Sequence, residues 1–137
     1  MSTTLDDVRD TFELLDEWSD RYAYLIELGK ELPPYPEEKR DKAHKVKGCL
    51  SQVWLASEVD GEGTMRFAAD SDAHIVRGLV ALVRLSHEGK TPDEVLAVDS
   101  GAILAELGLD KHLSPGRSNG LLAMIKRMRK LAETAKG

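Results

Sequence analysis

Cysteine is almost missing: the 137 residues contain one, Cys49. A single thiol excludes an internal disulfide and any zinc or iron–sulfur site that draws several soft ligands from one chain. It also excludes a dithiol oxidoreductase, which needs a resolving thiol. Aromatics are scarce at 5%, so aliphatic side chains must fill the core. No apolar run approaches the roughly 18–20 residues of a membrane helix, and no membrane partner is expected. Positive charge is not in excess either. The formal net charge of -5 argues against nucleic acid as the main partner. The opening MSTTLDDVRD has neither the basic nor the apolar region of a secretory signal. With so little cysteine, a reducing, cytoplasmic location is the expectation. GxGxxG, Walker, HExxH and CxxC patterns do not occur, so neither a cofactor nor a metal is expected.

What is present is ordinary globular material, 42% hydrophobic and 31% charged, at a length typical of one domain spanning 1–137. Charge is unevenly placed. Residues 1–38 hold eleven Asp or Glu against three Lys or Arg, whereas 39–47 (KRDKAHKVK) hold five basic residues against one acid. From Lys111 to Gly137 there are seven basic residues and Glu133 as the one acid. Such runs are usually solvated faces. The first one is notable because it ends at Gly48-Cys49, where positive charge favours a thiolate over a thiol.

Leu5, Val8, Phe12 and Leu15 recur at helical spacing behind Thr4, a candidate N-cap. A second helix carries Tyr22, Leu25, Ile26 and Leu28, with Gly29 as its expected C-cap. ELPPYPEEKRD must be a loop, since Pro33, Pro34 and Pro36 cannot share a helix interior. SQVWLASEVD and TMRFAAD alternate on either side of a GEG turn and read as an antiparallel hairpin. KVKGC is a candidate third strand. Asp70-Ser71-Asp72 reads as the cap of a helix bearing Ile75, Val76, Leu79, Val80, Leu82, Val83 and Leu85, ended by Gly89. Thr91-Pro92-Asp93-Glu94 starts another, and a short helix over Ala102–Leu107 precedes Gly108. The last helix follows Ser114-Pro115 with Leu121, Leu122, Met124, Ile125, Met128 and Leu131 on its apolar face. A hairpin followed by consecutive helices is an α+β arrangement: a small antiparallel sheet of about three strands packed by helices.

Cys49 is the foremost chemical candidate. The bland reading of a lone cysteine is a small buried hydrophobe. Here Gly48 frees the backbone, Lys45 and Lys47 lie close, and the position falls between a polar loop and a strand, which suits a nucleophilic thiolate. His44 and His112 are the candidate bases for a cysteine hydrolase, with no local signature to support one. The four histidines are expected mostly at the surface, with His112 singled out for its place in the compact HLSPGRSNG stretch. Arg117 in that stretch is balanced between a helix-start role and a functional one. Asp72 reads as a cap or first-turn acid, and Trp54 as sheet packing. A solitary thiol can accept an atom or group and pass it on.

The segment Val46-Lys47-Gly48-Cys49-Leu50-Ser51-Gln52-Val53-Trp54 resembles the V-x-G-C-x-S-Q-V-W signature of the SufE family, sulfur acceptors of iron–sulfur cluster assembly. The likeness extends along the chain in order. It includes Arg21-Tyr22, Leu25-Ile26-Glu27-Leu28-Gly29 and Leu32-Pro33, then Asp70-Ser71-Asp72-Ala73 with Ile75-Val76 and Gly78-Leu79. Thr91-Pro92 and His112-Leu113-Ser114-Pro115 before Arg117-Ser118-Asn119-Gly120-Leu121 complete it. The resemblance implies an α+β domain related in fold to the NifU and IscU scaffolds. It implies a persulfide relay in which Cys49 takes sulfane sulfur from a SufS-like, pyridoxal-phosphate-dependent cysteine desulfurase, stimulating it. The sulfur then passes to a SufBCD-like iron–sulfur scaffold complex. The chain would be a partner of the desulfurase, not itself an enzyme, and a homodimer is left open. Asp72 and Arg117 are placed near the Cys49 loop, Arg117 to stabilise the thiolate or the loop and Asp72 to hold the loop or bind the partner. Leu50 would help cover the thiol. Two other readings stand beside it: a noncovalent desulfurase activator, and a one-cysteine peroxidase or redox sensor.

Overall fold

In the computed structural model the described residues are 3–48 and 51–136; Cys49 and Leu50 lie outside them. Thr4 opens α1 (Leu5–Leu14) through a capping box in which its hydroxyl accepts from the Asp7 N–H while the Asp7 carboxylate accepts from the Thr4 N–H. The helix ends at Leu14, with Leu15 as its C-cap, and α2 (Trp18–Gly29) begins as a separate element. Arg21 holds the break: its guanidinium donates to the Leu15 and Phe12 carbonyls at 2.7 and 2.9 Å, satisfying oxygens that a helix end leaves open.

The expected hairpin forms as β1 (Val53–Val59) and β2 (Met65–Ser71), antiparallel, with Val53 opposite Ser71 and Val59 opposite Met65. Its inner face carries Val53, Leu55, Met65, Phe67 and Ala69, all buried. The outer face is not left to solvent. Trp54 and Ala56 are buried there under Tyr35 from the proline-rich loop, and Arg40 lies over both rings, 5.1 Å from Tyr35 and 4.7 Å from Trp54. Among the described residues the third strand reduces to a single bridge, Lys45 to Trp54. Val46 N–H reaches Val53 O and Leu55 N–H reaches His44 O, after which the chain turns away at Gly48, whose φ is +93°.

Two caps differ from the sequence reading. β2 continues through Ser71, and α3 (His74–His87) is capped at Ala73 with no side-chain bond, which releases Asp72 for other use. Gly29 is the last residue of α2 rather than a left-handed cap. Its lack of a side chain serves packing: a Cβ there would lie 2.8 Å from the Gly78 nitrogen, and one on Gly78 would overlap the Leu25 carbonyl. The two glycines let α2 and α3 touch backbone to backbone. Downstream come α4 (Pro92–Ala97), opened by the Thr91 capping box, then α5 (Ser100–Glu106), α6 (Leu109–His112) and the long α7 (Pro115–Lys136). The core joins α1, α2, α3, both strands and α7 through Val8, Leu25, Leu55, Leu79 and Met128. Leu122 is not part of it; it is 53% exposed.

Candidate functional site

The residues on either side of positions 49 and 50 are held by different elements. Upstream, Val46 is buried and bonded to Val53, and Gly48 sits against α7, where an added Cβ would meet Ala123 Cβ at 3.5 Å. Downstream, Gln52 is clamped to Asp72. The Gln52 N–H donates to Asp72 Oδ1 at 3.0 Å, the side-chain amide donates to Oδ2 at 3.3 Å, and the Asp72 N–H returns a bond to Gln52 O at 3.3 Å. A carboxylate read in sequence as a helix cap is thus a strut across the base of the segment that carries Cys49.

Beside this segment lies an apolar pocket between α3, the start of β1 and the first turns of α7. Ser51, Val53, Val76, Leu79, Leu121 and Met124 line it, with Gly116, Arg117 and Gly120 at the α7 side. Its free space is about 30 Å³, room for an atom or two rather than a metabolite. Of the sequence candidates, Arg117 therefore stands at the pocket wall and Asp72 one bond from the neighbouring strand. His112 is engaged elsewhere: its ring stacks on Trp18 with centroids 3.9 Å apart, and its carbonyl accepts from the Tyr22 hydroxyl. His44 is paired with Asp41 through Nδ1 at 2.7 Å. Cys49 itself lies outside the described residues.

Three features escaped sequence reasoning. Asp70 is shared by two guanidiniums, Arg40 at 3.1 Å and Arg77 at 2.9 Å, which ties the proline-rich loop, β2 and α3 together. Burial, reinforced by Asp41, pushes the Tyr35 phenol up to about 12, so it stays protonated and donates to Lys39 O at 3.0 Å. The signal was an aromatic within a proline-rich stretch followed by Lys-Arg, which periodicity cannot interpret. His87, expected at the surface, is 1% exposed; burial lowers its pKa, and Nδ1 bonds Val83 O at 2.8 Å. It falls on the core stripe of α3, where no other contact could be read from the sequence. Among the described residues no cluster of His, Cys, Asp and Glu is arranged to hold a metal ion, and no helix is long and apolar enough to cross a membrane.

Hairpin, helical cover and a small apolar recess lined by Ser51 and Arg117 define a compact α+β domain. Comparisons with known proteins agree with one another on its family. The SufE model, described as an Fe–S metabolism associated domain, matches residues 6–132. An uncharacterized SufE-like protein of Rhizobium etli is 50% identical over 133 residues, covering 95% of this chain and 90% of the relative. A second, from Rhizobium meliloti, is 48% identical over 134 residues, covering 96% of each. The solution structure of a hypothetical protein from Thermus thermophilus superposes with a TM-score of 0.77 at 26% identity, over 96% of this chain and 94% of that one. The chain belongs to the SufE family and is associated with Fe–S metabolism.

Proposed function

We propose that the chain is a persulfide relay: Cys49 accepts sulfane sulfur from a cysteine desulfurase and hands it to an iron–sulfur scaffold, stimulating the desulfurase by clearing its active site. The Cys49 thiolate attacks the outer sulfur of the donor's persulfide. One S–S bond forms, the donor's S–S bond breaks, and the donor leaves as a thiolate, so there is no net oxidation and the outer sulfur moves intact. Cleavage of the C–S bond of free cysteine belongs to the donor's pyridoxal phosphate. This chain supplies an accessible nucleophile, a loop to carry it and shelter for the product.

The observation that carries the reading is the apolar recess beside the anchored 48–51 segment. A persulfide is lost to stray thiols and water, and a recess with room for an atom or two suits a terminal sulfur. Arg117 on its wall favours the anionic forms of thiol and persulfide. The Asp72–Gln52 strut ties the chain downstream of Cys49 to the end of β2. Asp72 also offers a group for the partner. His112, stacked on Trp18, has a positioning role at the α6–α7 junction in this reading. Incubation with desulfurase and cysteine should raise the intact mass by about one sulfur atom, reversibly by reductant. Cys49→Ser should abolish the gain with the fold unchanged. Full stimulation of sulfide release by that variant would replace the relay with a noncovalent activator, and rapid sulfenic acid formation with no response to desulfurase would indicate a redox protein.

A further inference from the structure

The two basic segments, 39–47 and the tail from Lys111, lie far apart in sequence and meet in the fold. Arg127 donates to the Ala43 carbonyl at 2.7 Å, and Gly48 lies against Ala123 one turn earlier on the same face of α7. Lys42, Lys45 and Lys47 project from the loop; Lys126 and Lys130 project from the helix; all five are exposed. Among the described residues none of these lysines, nor Arg117, has an ion-pair partner, whereas Arg9, Lys30, Arg40, Arg66, Arg77, Arg84 and Lys136 are paired with carboxylates. Among the described residues Lys39, Lys90 and Lys111 are unpaired too, yet five of the eight unpaired lysines of a chain of net charge -5 belong to this loop and to the α7 face it touches. They border the segment that carries Cys49 from both its loop and its α7 flank.

Within that patch sits Leu122, 53% exposed. Positions 119, 122, 123, 126, 127 and 130 recur at helical spacing and form one stripe of α7. An exposed leucine on the helix stripe that carries Lys126 and Lys130 is a poor solvent face but a fitting interface anchor beside charged groups.

We infer that this surface is the docking face for the sulfur donor, and that the donor presents a cluster of carboxylates with an apolar recess around its persulfide. The inference rests on the relay reading for the partner's identity, but the charge pattern alone selects the partner's sign. Steering by the patch would orient encounter so that the 48–51 segment arrives first at the donor's active site.

The test is direct binding of the full chain to purified cysteine desulfurase by titration calorimetry, at salt from about 50 to 500 mM. Wild-type affinity should fall about tenfold or more across that range. Lys126→Glu/Lys130→Glu should lose about tenfold at low salt, with circular dichroism unchanged. Lys45→Glu/Lys47→Glu, on the loop flank, gives an independent second variant, and Lys30→Glu on α2 should bind as wild type. Leu122→Ala should weaken binding without altering the salt slope. Reversal variants that bind like wild type, or affinity indifferent to salt, overturn the inference. So does capture of a single-stranded RNA oligonucleotide by the patch with desulfurase binding unaffected. Salt-sensitive docking with no sulfur gained on Cys49 would support the surface and sink the relay, so the two failures are distinguishable.

Discussion

Asp72 and Gln52 hold each other by three hydrogen bonds, two into the carboxylate and one back from its own N–H. The pair ties the residue after β2 to the residue before β1, downstream of Cys49, with groups that need no partner from the core. Asp72→Ala should cost about 0.5–1.5 kcal/mol in urea unfolding, because both residues are exposed and water replaces part of the loss. Its larger effect should be on the segment: Asp72→Ala slows persulfide loading, and Asp72→Asn, which keeps one acceptor, restores part of the rate. Equal rates for the two variants would show that the strut plays no part in transfer.

Arg117 has no side-chain partner among the described residues, yet its first-turn position on α7 brings it to the apolar recess. If it favours the anionic sulfur, Arg117→Ala should shift the pH midpoint of Cys49 alkylation by iodoacetamide upward and slow the reaction at neutral pH, with Arg117→Lys intermediate. The midpoint is the informative readout, since a purely structural role would leave it in place.

The contact of α2 with α3 depends on the absence of side chains. Gly78→Ala places a Cβ against the Leu25 carbonyl, a rigid backbone atom, and should destabilise by about 3 kcal/mol or more or prevent folding. Gly61→Ala in the hairpin turn meets no atom within 4 Å and should stay within about 0.5 kcal/mol of wild type. Thermal unfolding of the two variants side by side checks the contrast.

His87 makes stability depend on pH. Burial depresses its pKa, with Lys90 and Arg129 also opposing the charged form, so the folded chain holds the ring neutral while the unfolded chain protonates near the ordinary value. Between the folded and unfolded pKa values the unfolded state binds more protons, so stability rises with pH through that window and is fully present above about 6.5. Acidification from about pH 7.5 to about pH 5 should lower the urea midpoint of the wild type, and His87→Gln should show a shallower dependence. An identical slope in the two proteins would assign the effect to other groups.

The hairpin, the Thr4 and Thr91 caps and the helical identity of α3 and α7 were legible in the sequence because each rests on local rules. Alternation, capping boxes and 3.6-residue periodicity act over a few residues and carry their own signal. Gly29 and Asp72 were legible as special but misread in role. A glycine near a helix end and an acid before a helix are capping signals by local statistics, and only the neighbouring helix or strand reveals that one serves close packing and the other a cross-link. Among the described residues the third strand shortens to the Lys45–Trp54 bridge for a related reason: its length is decided by where the chain turns next, at Gly48.

By itself the sequence determined the chemistry available: one thiol, two blocks of positive charge, and a run of motifs carried in family order. Tertiary structure alone decided what those groups stand beside. It brought Ala43 to Arg127 across 84 positions, set Arg117 and Ser51 on one recess, and buried His87 against Phe67. The physical reason is range: hydrogen bonding and periodicity are written within a few residues, whereas the pairing of distant faces follows from burying apolar surface that no single segment can cover alone.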